Sequence, residues 1–251
     1  MKRHVLILGG TGEALALARL FAAQRPDLAV TTSLAGATSA PVLPPGKLRS
    51  GGFGGAEGLS DWLRDEAVAA LIDATHPFAA TMAGHAAEAA AATGVPRLKL
   101  VRAMWPRRDG DRWISVADAP AAASALATLS ARRVFLTLGA RDLGAFAGLP
   151  GVTFTVRMIE APETPLPLAR ADLILARGPF GEDDERALMT GRRIDAVVAK
   201  ASGGEATRGK IDAARGLGLP VVMIARPPLP AGETAADASE ALDWIARVLP
   251  Q

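Results

Sequence analysis

The chain of 251 residues contains no cysteine, no tyrosine and only three histidines. Without cysteine it has no disulfide, thiolate metal site, iron–sulfur cluster or cysteine nucleophile. Without tyrosine it lacks the Tyr-x-x-x-Lys pair that short-chain dehydrogenases ordinarily use. The histidines, His4, His76 and His85, are scattered and lack the four-residue spacing of a zinc-binding helix. We therefore expect no metal site.

A large excess of charge and long apolar runs are also missing. The formal net charge is only +2, and no lysine-rich run with interleaved aromatic residues occurs, so nothing argues for nucleic acid. No apolar run approaches the length that spans a bilayer, and the N-terminus enters a predicted strand within a few residues. The sequence therefore predicts a cytoplasmic protein that binds neither nucleic acid nor membrane and is long enough to bury a core.

What is present begins with a glycine-rich turn directly behind an apolar strand. Residues 5–8 are apolar, Gly9-Gly10-Thr11-Gly12-Glu13 follows, and apolar residues then recur at helical spacing. Because glycines carry no side chain, phosphate oxygens can approach the backbone N–H groups, and the helix start adds its positive dipole end. This context favours a dinucleotide pyrophosphate site. If G-x-G-x-x-G is counted from Gly10, the position of its third glycine is occupied by Leu15. The alternative to a nucleotide site is a short glycine turn that binds no ligand.

The end of the second predicted strand bears on which dinucleotide binds. Enzymes that prefer NAD place a carboxylate on the ribose 2′-hydroxyl about 20 residues beyond the glycines. Here the strand ends in Thr32 and Ser33, and no carboxylate follows until Glu57. The two hydroxyls can hydrogen-bond a 2′-phosphate, with Lys47 or Arg49 as the charge partner. NADPH is therefore the expected cofactor.

The chain carries an internal echo that predicts two related lobes. Residues 5–14 resemble residues 134–143, each being a strand that breaks at glycine before a helix. Strands alternate with helices elsewhere, which predicts parallel sheets with right-handed crossovers. A polar stretch at 104–113, broken by proline and glycine, marks the boundary. We expect an α/β fold of two Rossmann-like lobes, 1–110 and 111–251, with mainly parallel sheets and the site in a cleft between them.

Two further features of the first lobe are assigned to the cofactor. Gly52 and Phe53, in the run GGFGG at 51–55, offer backbone access and a stacking face, with a ligand-free loop as the alternative. Glu13 lies in the first helical turn, where a carboxylate interacts favourably with the helix dipole and can cap backbone amides. A contact with the cofactor ribose is the other role open to it.

The segment after the predicted strand at 69–73 is expected at the same edge as the glycine turn. Thr75 and His76 follow a buried strand there, and Pro77 suits the first turn of the next helix. We assign Thr75 to the cofactor and His76 to proton transfer, with a structural histidine as the alternative. Asp73 is expected to hydrogen-bond or cap. A substrate carboxyl or water remains open as the proton source.

In the second lobe, basic residues recur singly at the ends of apolar runs, where open α/β sheets bind their ligands. Residues 200–204 are similar to an anion-binding turn, in which backbone amides, a serine and a lysine converge. Arginines can add bidentate contacts to carboxylates, although surface ion pairs are the alternative. The residues assigned to an anionic substrate are Arg141, Arg177, Lys200, Ser202, Gly203, Thr207 and Lys210.

Together these segments resemble the precorrin-6A reductase family of cobalamin biosynthesis over essentially the whole chain. The resemblance rests on ILGGTGE at 7–13, GGFGG at 51–55, DATHPFA at 73–79, RGPF at 177–180 and KASGG at 200–204, followed by Thr207 and Lys210. It implies a two-lobed α/β reductase that delivers hydride from NADPH to a conjugated tetrapyrrole with many carboxylates, converting precorrin-6A to precorrin-6B.

The sequence leaves two other functions open. One is an NADP-sensing binding protein, and the other is an NADP-dependent reductase of a different anionic small molecule. A sensor would need no cationic turn in the second lobe and would ignore a polycarboxylate tetrapyrrole, whereas a corrin reductase would bind it.

Overall fold

The computed structural model describes residues 2–34 and 42–250, and the chain divides into two compact units. Unit 1 comprises Met1–Ala103 and Pro227–Gln251, and unit 2 comprises Met104–Arg226. The division differs from the contiguous lobes 1–110 and 111–251 expected from the sequence, because the last 25 residues belong to unit 1 rather than to unit 2.

Unit 1 is built on a sheet of six strands whose neighbours all run parallel. Its order is β12-β5-β4-β1-β2-β3, where the strands are β1 (Arg3–Leu8), β2 (Leu28–Leu34), β3 (Lys47–Ser50), β4 (Val68–Asp73), β5 (Arg97–Leu100) and β12 (Glu233–Ala235). Its helices are α1 (Gly12–Gln24), α2 (Gly55–Asp65), α3 (Ala80–Thr93) and α7 (Ala238–Val248). The chain runs outward from β1 to β3 and then crosses to β4 on the other side. The strand order therefore reverses between β1 and β4, which is where open α/β sheets bind their ligands.

Unit 2 has a second six-stranded parallel sheet, in the order β6-β11-β10-β7-β8-β9. Its strands are β6 (Arg112–Val116), β7 (Arg133–Leu136), β8 (Thr153–Met158), β9 (Ala171–Leu175), β10 (Ala196–Lys200) and β11 (Pro220–Ile224). Its helices are α4 (Ala119–Thr128), α5 (Glu182–Gly191) and α6 (Gly209–Gly216), with 3₁₀ turns at Ala140–Phe146 and Glu205–Thr207. Strand β7 occupies the central place that β1 has in unit 1. The predicted α/β fold of two Rossmann-like lobes with parallel sheets is thus confirmed.

The edge strand beside β5 in unit 1, and its equivalent beside β11 in unit 2, explain why the chain returns to unit 1. In unit 2 this strand is β6, at the start of the unit, and in unit 1 it is β12, which pairs with β5 near the end of the chain. Each is followed by a helix capped by an aspartate: Asp118 accepts from Ala121 N at 2.8 Å, and Asp237 accepts from Ser239 N at 2.8 Å. Equivalent pieces therefore enter the two sheets from different parts of the chain.

The core of unit 1 lies on both faces of its sheet. On one face Phe21 of α1 packs in one apolar cluster with Trp244 and Ile245 of α7, all at most 2% exposed. Burial of one such side chain contributes about 1.5–3 kcal/mol, which anchors the C-terminal helix in unit 1. On the other face, Leu59 of α2 packs in one cluster with Ala86 of α3.

Candidate functional site

The glycine turn leaves β1 at the point where the strand order reverses. Thr11 caps α1, since its Oγ1 accepts from Ala14 N at 3.1 Å, and the same hydroxyl donates to the carbonyl of Ala74 at 2.8 Å. The turn after β1 is thereby tied to the segment after β4. The predicted strand, turn and helix are all present, with α1 beginning at Gly12.

The three glycines of the turn have different surroundings. A Cβ at Gly9 would lie 2.9 Å from Thr32 Cγ2, so this position is closed by packing against β2. Gly10 has φ of +98°, a conformation that disfavours other residues. A Cβ at Gly10 or Gly12 would meet nothing within 4 Å. The backbone is thus accessible at these two positions, as close approach of a pyrophosphate requires. Leu15 occupies the position of the motif's third glycine, and the preceding Ala14, 1% exposed, packs in one apolar cluster with Val5 and Ile7 of β1.

The ends of β2 and β3 converge on Arg49. Ser33 lies opposite Arg49 in the sheet, and its hydroxyl accepts from the guanidinium at 3.3 Å. The same guanidinium donates to the carbonyls of Gly51 and Gly52 at 2.6 and 2.7 Å and lies 3.7 Å from the centre of the Phe53 ring. Burial lowers the pKa of Arg49 from its usual value. Three residues assigned to the cofactor, Ser33, Gly52 and Phe53, therefore lie around Arg49, one of the two cations considered for the 2′-phosphate.

Thr32 and Lys47 do not join this group in the same way. Thr32 is 1% exposed, its methyl group faces Gly9, and its Oγ1 has no hydrogen-bond partner within the described residues. Lys47 lies opposite Thr31, two positions before Arg49 along β3, and pairs with Glu66 at 3.2 Å. Of the two cations considered from the sequence, Arg49 is therefore the one in contact with Ser33.

A small pocket lies beside the glycine turn in unit 1. One wall carries an ion pair in which Arg102 Nη1 contacts both carboxylate oxygens of Glu13, at 2.9 and 3.1 Å. The carboxylate in the first turn of α1 is thereby neutralised in part by a cation that follows β5. The residues that line the pocket are Thr11, Glu13, Ala74, Thr75, Pro77, Leu100 and Arg102.

Behind the pocket lies a buried ion pair that sequence reasoning missed. Lys99 Nζ is 2.9 Å from Asp73 Oδ1, and the two side chains are 3% and 0% exposed. Both sit at facing positions of the neighbouring strands β5 and β4. Desolvation lowers the pKa of Lys99, more than the attraction of Asp73 raises it. The signal in the sequence was a lysine within a short strand between two leucines. That strand, β5, is separated by β4 from β1, which carries the glycine turn.

His76 lies in the segment between β4 and α3. Its Nδ1 accepts from Phe78 N at 3.2 Å, so the neutral ring carries its proton on Nε2. Its neighbours Thr75 and Pro77 line the pocket. The expectation that Pro77 occupies the first turn of the next helix is wrong, because α3 begins only at Ala80 and the residues before it form a separate turn.

In unit 2, the turn at 200–204 contains an ion pair that the sequence did not suggest. Lys200 Nζ lies 2.6 Å from Asp142 Oδ2, which belongs to the 3₁₀ turn after β7. Ser202 N donates to the carbonyl of Lys200 at 2.7 Å, and Gly203 has φ of +65°. Arg226 stabilises the turn by donating to the carbonyls of Ala201 and Ser202, at 2.7 and 3.1 Å.

The other cations of unit 2 that were assigned to the substrate differ in exposure. Lys210 is 4% exposed, donates to the carbonyl of Thr207 at 2.9 Å and lies 5.3 Å from the centre of the Trp105 ring. Trp105 in turn donates to the carbonyl of Gly204 at 2.8 Å. Trp105 thus braces the turn, and Lys210 packs against Trp105 while it is held by the carbonyl of Thr207. Arg141 and Arg177 are exposed; Arg141 lies in the 3₁₀ turn that follows β7, and Arg177 lies two residues beyond the end of β9.

Among the described residues, no group of three or more histidine, aspartate or glutamate side chains is placed to hold a metal ion. Across 2–34 and 42–250, no helix combines the length and apolar character needed to cross a bilayer.

Comparison with known proteins gives consistent matches along the whole chain. Residues 4–246 match the family model described as Precorrin-6x reductase CbiJ/CobK. The precorrin-6A reductase of Rhodococcus erythropolis is 48% identical over 243 residues, covering 96% of this chain and 97% of that protein. The cobalt-precorrin-6A reductase of Salmonella typhimurium is 29% identical over 263 residues, covering 96% and 97%. A solved structure described as CobK precorrin-6A reductase superposes with a TM-score of 0.93 at 43% identity, covering 98% of this chain and 97% of that one.

Proposed function

The chain belongs to the precorrin-6x reductase family and is an oxidoreductase of cobalamin biosynthesis, and on that premise we propose that it uses NADPH to reduce precorrin-6A to precorrin-6B. The observation that carries the cofactor assignment is the open glycine turn at the reversal point of the unit 1 sheet. Two glycines there leave backbone N–H groups accessible, and α1 begins immediately behind them. The donor set consists of backbone amides and a helix start, which suits a pyrophosphate.

The phosphorylated form of the dinucleotide fits the ends of β2 and β3. Arg49 is held by Ser33 and two backbone carbonyls beside the end of β2, the region in which proteins of this fold contact the ribose 2′ position. Ser33 and Gly52 fix the guanidinium, and Phe53 supports it from one face. The buried Thr32 contributes by packing against the glycine turn.

At the other end of the cofactor, the nicotinamide is proposed to lie over the mouth of the pocket beside Thr75, because the pocket itself, at about 10 Å³, holds little more than one water molecule. NADPH supplies the hydride, and the protein supplies orientation and exclusion of water. Leu100 and Pro77 give the pocket apolar walls, and Glu13 with Arg102 closes its polar side. His76 is the proposed source of the single proton that completes the reduction after hydride transfer. It donates from the imidazolium form, and protonation of Nδ1 then replaces the hydrogen bond that this atom accepts from Phe78 N in the neutral ring.

We assign the carboxylates of the tetrapyrrole to unit 2. The exposed Arg141 and Arg177 are accessible for bidentate contacts, and Lys200 lies at the surface of the turn that Ser202 and Gly203 form. Lys210, which donates to the carbonyl of Thr207, lies against the ring of Trp105, and Trp105 donates to the carbonyl of Gly204 in that turn. A metal-free substrate is favoured, because the relative named precorrin-6A reductase is 48% identical and the one named for cobalt-precorrin-6A is 29% identical.

The experiment that tests this function is a pair of titrations in one cuvette. The protein is first titrated with NADPH or NADH, and precorrin-6A is then added while NADPH absorbance is followed. We expect tighter binding of NADPH and its oxidation in proportion to the tetrapyrrole added. Binding of NADPH with neither tetrapyrrole binding nor oxidation would instead identify an NADP sensor.

A further inference from the structure

The buried pair of Lys99 and Asp73 needs an explanation beyond stability. Removing two charges from water costs several kcal/mol per ion, and the attraction between them often does no more than offset that cost. Apolar residues of similar volume would commonly do as well. A second oxygen of the carboxylate, Asp73 Oδ2, is buried and has no hydrogen-bond partner within the described residues. The pair is therefore an expensive way to fill this part of the core.

What the pair does is fix Thr75 at all of its polar atoms. The amide and the hydroxyl of Thr75 donate to Asp73 Oδ1 at 3.0 and 2.6 Å. Lys99 Nζ donates to the carbonyl and to the hydroxyl of Thr75, both at 3.1 Å. One residue earlier, Ala74 donates to the carbonyl of Leu8 at 2.9 Å and accepts from the Thr11 hydroxyl. The segment is thus tied to β1 and the glycine turn on one side and to Lys99 on the other.

We propose that Lys99 and Asp73 are positioning residues that together hold the wall formed by Ala74, Thr75 and Pro77 at a fixed distance from the glycine turn. The proposal rests on the proposed function in one respect, since this wall is where we place the nicotinamide. Thr75 does not donate its hydroxyl to the cofactor in this arrangement, because Asp73 already receives it. The wall is then shaped by a polar clamp behind it, and the distance between hydride donor and acceptor depends on that clamp.

The test compares three variants of the full chain. Lys99→Met breaks the clamp and leaves Asp73 buried without its ammonium. Lys99→Met combined with Asp73→Asn removes both charges and keeps an acceptor for Thr75, which guards against simple unfolding. The control is Lys47→Met, a lysine of the same unit whose exposed side chain pairs with Glu66 at the surface.

The first readout needs neither cofactor nor substrate. Amide hydrogen exchange of the segment 74–78 is measured in the free protein, and we expect faster exchange in both Lys99 variants but not in Lys47→Met. The second readout is kcat together with the primary isotope effect from NADPH deuterated at the transferred position. We expect kcat to fall about ten- to a hundredfold with a larger isotope effect, while the Kd for NADPH changes little because the glycine turn carries the pyrophosphate.

The outcomes distinguish the clamp itself, its role in positioning the reactants and the proposed function. Unchanged exchange at 74–78 in the folded double variant would overturn the clamp, whatever the activity. Faster exchange with an unchanged kcat and isotope effect would overturn the positioning role. Failure of the parent protein to oxidise NADPH with precorrin-6A would contradict the proposed function and leave the exchange result to decide the clamp alone.

Discussion

The ammonium of Lys200 lies 2.6 Å from a carboxylate oxygen of Asp142, and both side chains are partly exposed. A cation assigned to substrate carboxylates is thus already paired within the protein. A substrate carboxylate that reaches Lys200 must share it with Asp142 or displace that residue. The pair therefore works against substrate binding, and its exposed position keeps the cost of breaking it low, at about 0.2–1 kcal/mol.

Substitution of either partner should change substrate affinity in opposite directions. Lys200→Ala removes a charge-assisted contact of about 1.5–3 kcal/mol and should weaken tetrapyrrole binding roughly ten- to a hundredfold. Asp142→Asn removes the competitor and should tighten binding by up to about fivefold. Titrations with precorrin-6A at low and high salt measure both, and the effects should shrink at high salt. Weaker binding in Asp142→Asn would mean that the aspartate orients Lys200 for the substrate. NADPH affinity serves as the control and should stay at the parent value.

Arg49→Leu should abolish the preference for NADPH over NADH. A charge-assisted hydrogen bond to the 2′-phosphate contributes about 1.5–3 kcal/mol, so the Kd for NADPH should rise roughly ten- to a hundredfold while that for NADH stays nearly constant. The matched control is Lys47→Leu, two positions earlier on the same strand, which should alter neither value. Equal losses for both cofactors would show that Arg49 only shapes the loop through the carbonyls of Gly51 and Gly52.

The parts of the site that could be predicted from sequence are those that depend on local pattern. The glycine turn, its strand and its helix were predictable because residues 5–24 carry the apolar spacing and the capping threonine within one short stretch. The two parallel sheets followed from the alternation of strands and helices. The identity of Arg49 as the partner of Ser33 was left open beside Lys47, since it depends on the register of β2 and β3, which the sequence does not specify.

The parts that escaped prediction involve residues far apart in the chain. Asp142 meets Lys200 and Lys99 meets Asp73 only because neighbouring strands end at the same edge of a sheet. The placement of residues 227–251 in unit 1 was missed for a related reason. The pairing of β12 with β5 joins segments more than 130 residues apart, and no local pattern records it.

Arg102→Met should weaken NADPH binding without touching the glycine turn. The substitution leaves the Glu13 carboxylate uncompensated in the first turn of α1, beside the proposed pyrophosphate position. Repulsion between like charges at this range should raise the Kd about tenfold. Glu13→Gln combined with Arg102→Met should restore most of the affinity, because no charge is then left unpaired. Calorimetric titration of the single and double variants measures this, and an equally weak double variant would show that Arg102 itself binds the cofactor.

Gly12→Val should impair cofactor binding while the fold is retained. A Cβ at this position meets nothing within 4 Å, so the added branches enter the space assigned to the pyrophosphate rather than the protein. Gly191→Val is the matched control, since Gly191 is also helical, also has open surroundings and lies in unit 2. Circular dichroism establishes folding, and calorimetry measures the Kd for NADPH. An unchanged Kd in Gly12→Val would remove the glycine turn from the cofactor site.

Finally, the stability of the protein should rise with pH in the alkaline range because of Lys99. Burial lowers the pKa of its ammonium, and the positive charges of Arg97 and Arg102 act in the same direction, whereas Asp73 opposes them. Between the lowered pKa of the folded state and the usual lysine pKa of the unfolded chain, the unfolded chain holds more protons, so the free energy of unfolding increases with pH. Below the folded-state pKa the destabilising contribution is fully present. Urea unfolding of the parent and of the Lys99→Met/Asp73→Asn variant from about pH 7 to about pH 10 measures the difference. That difference should move in favour of the parent as pH rises, and a constant difference would mean that Lys99 keeps its proton in both states throughout this range.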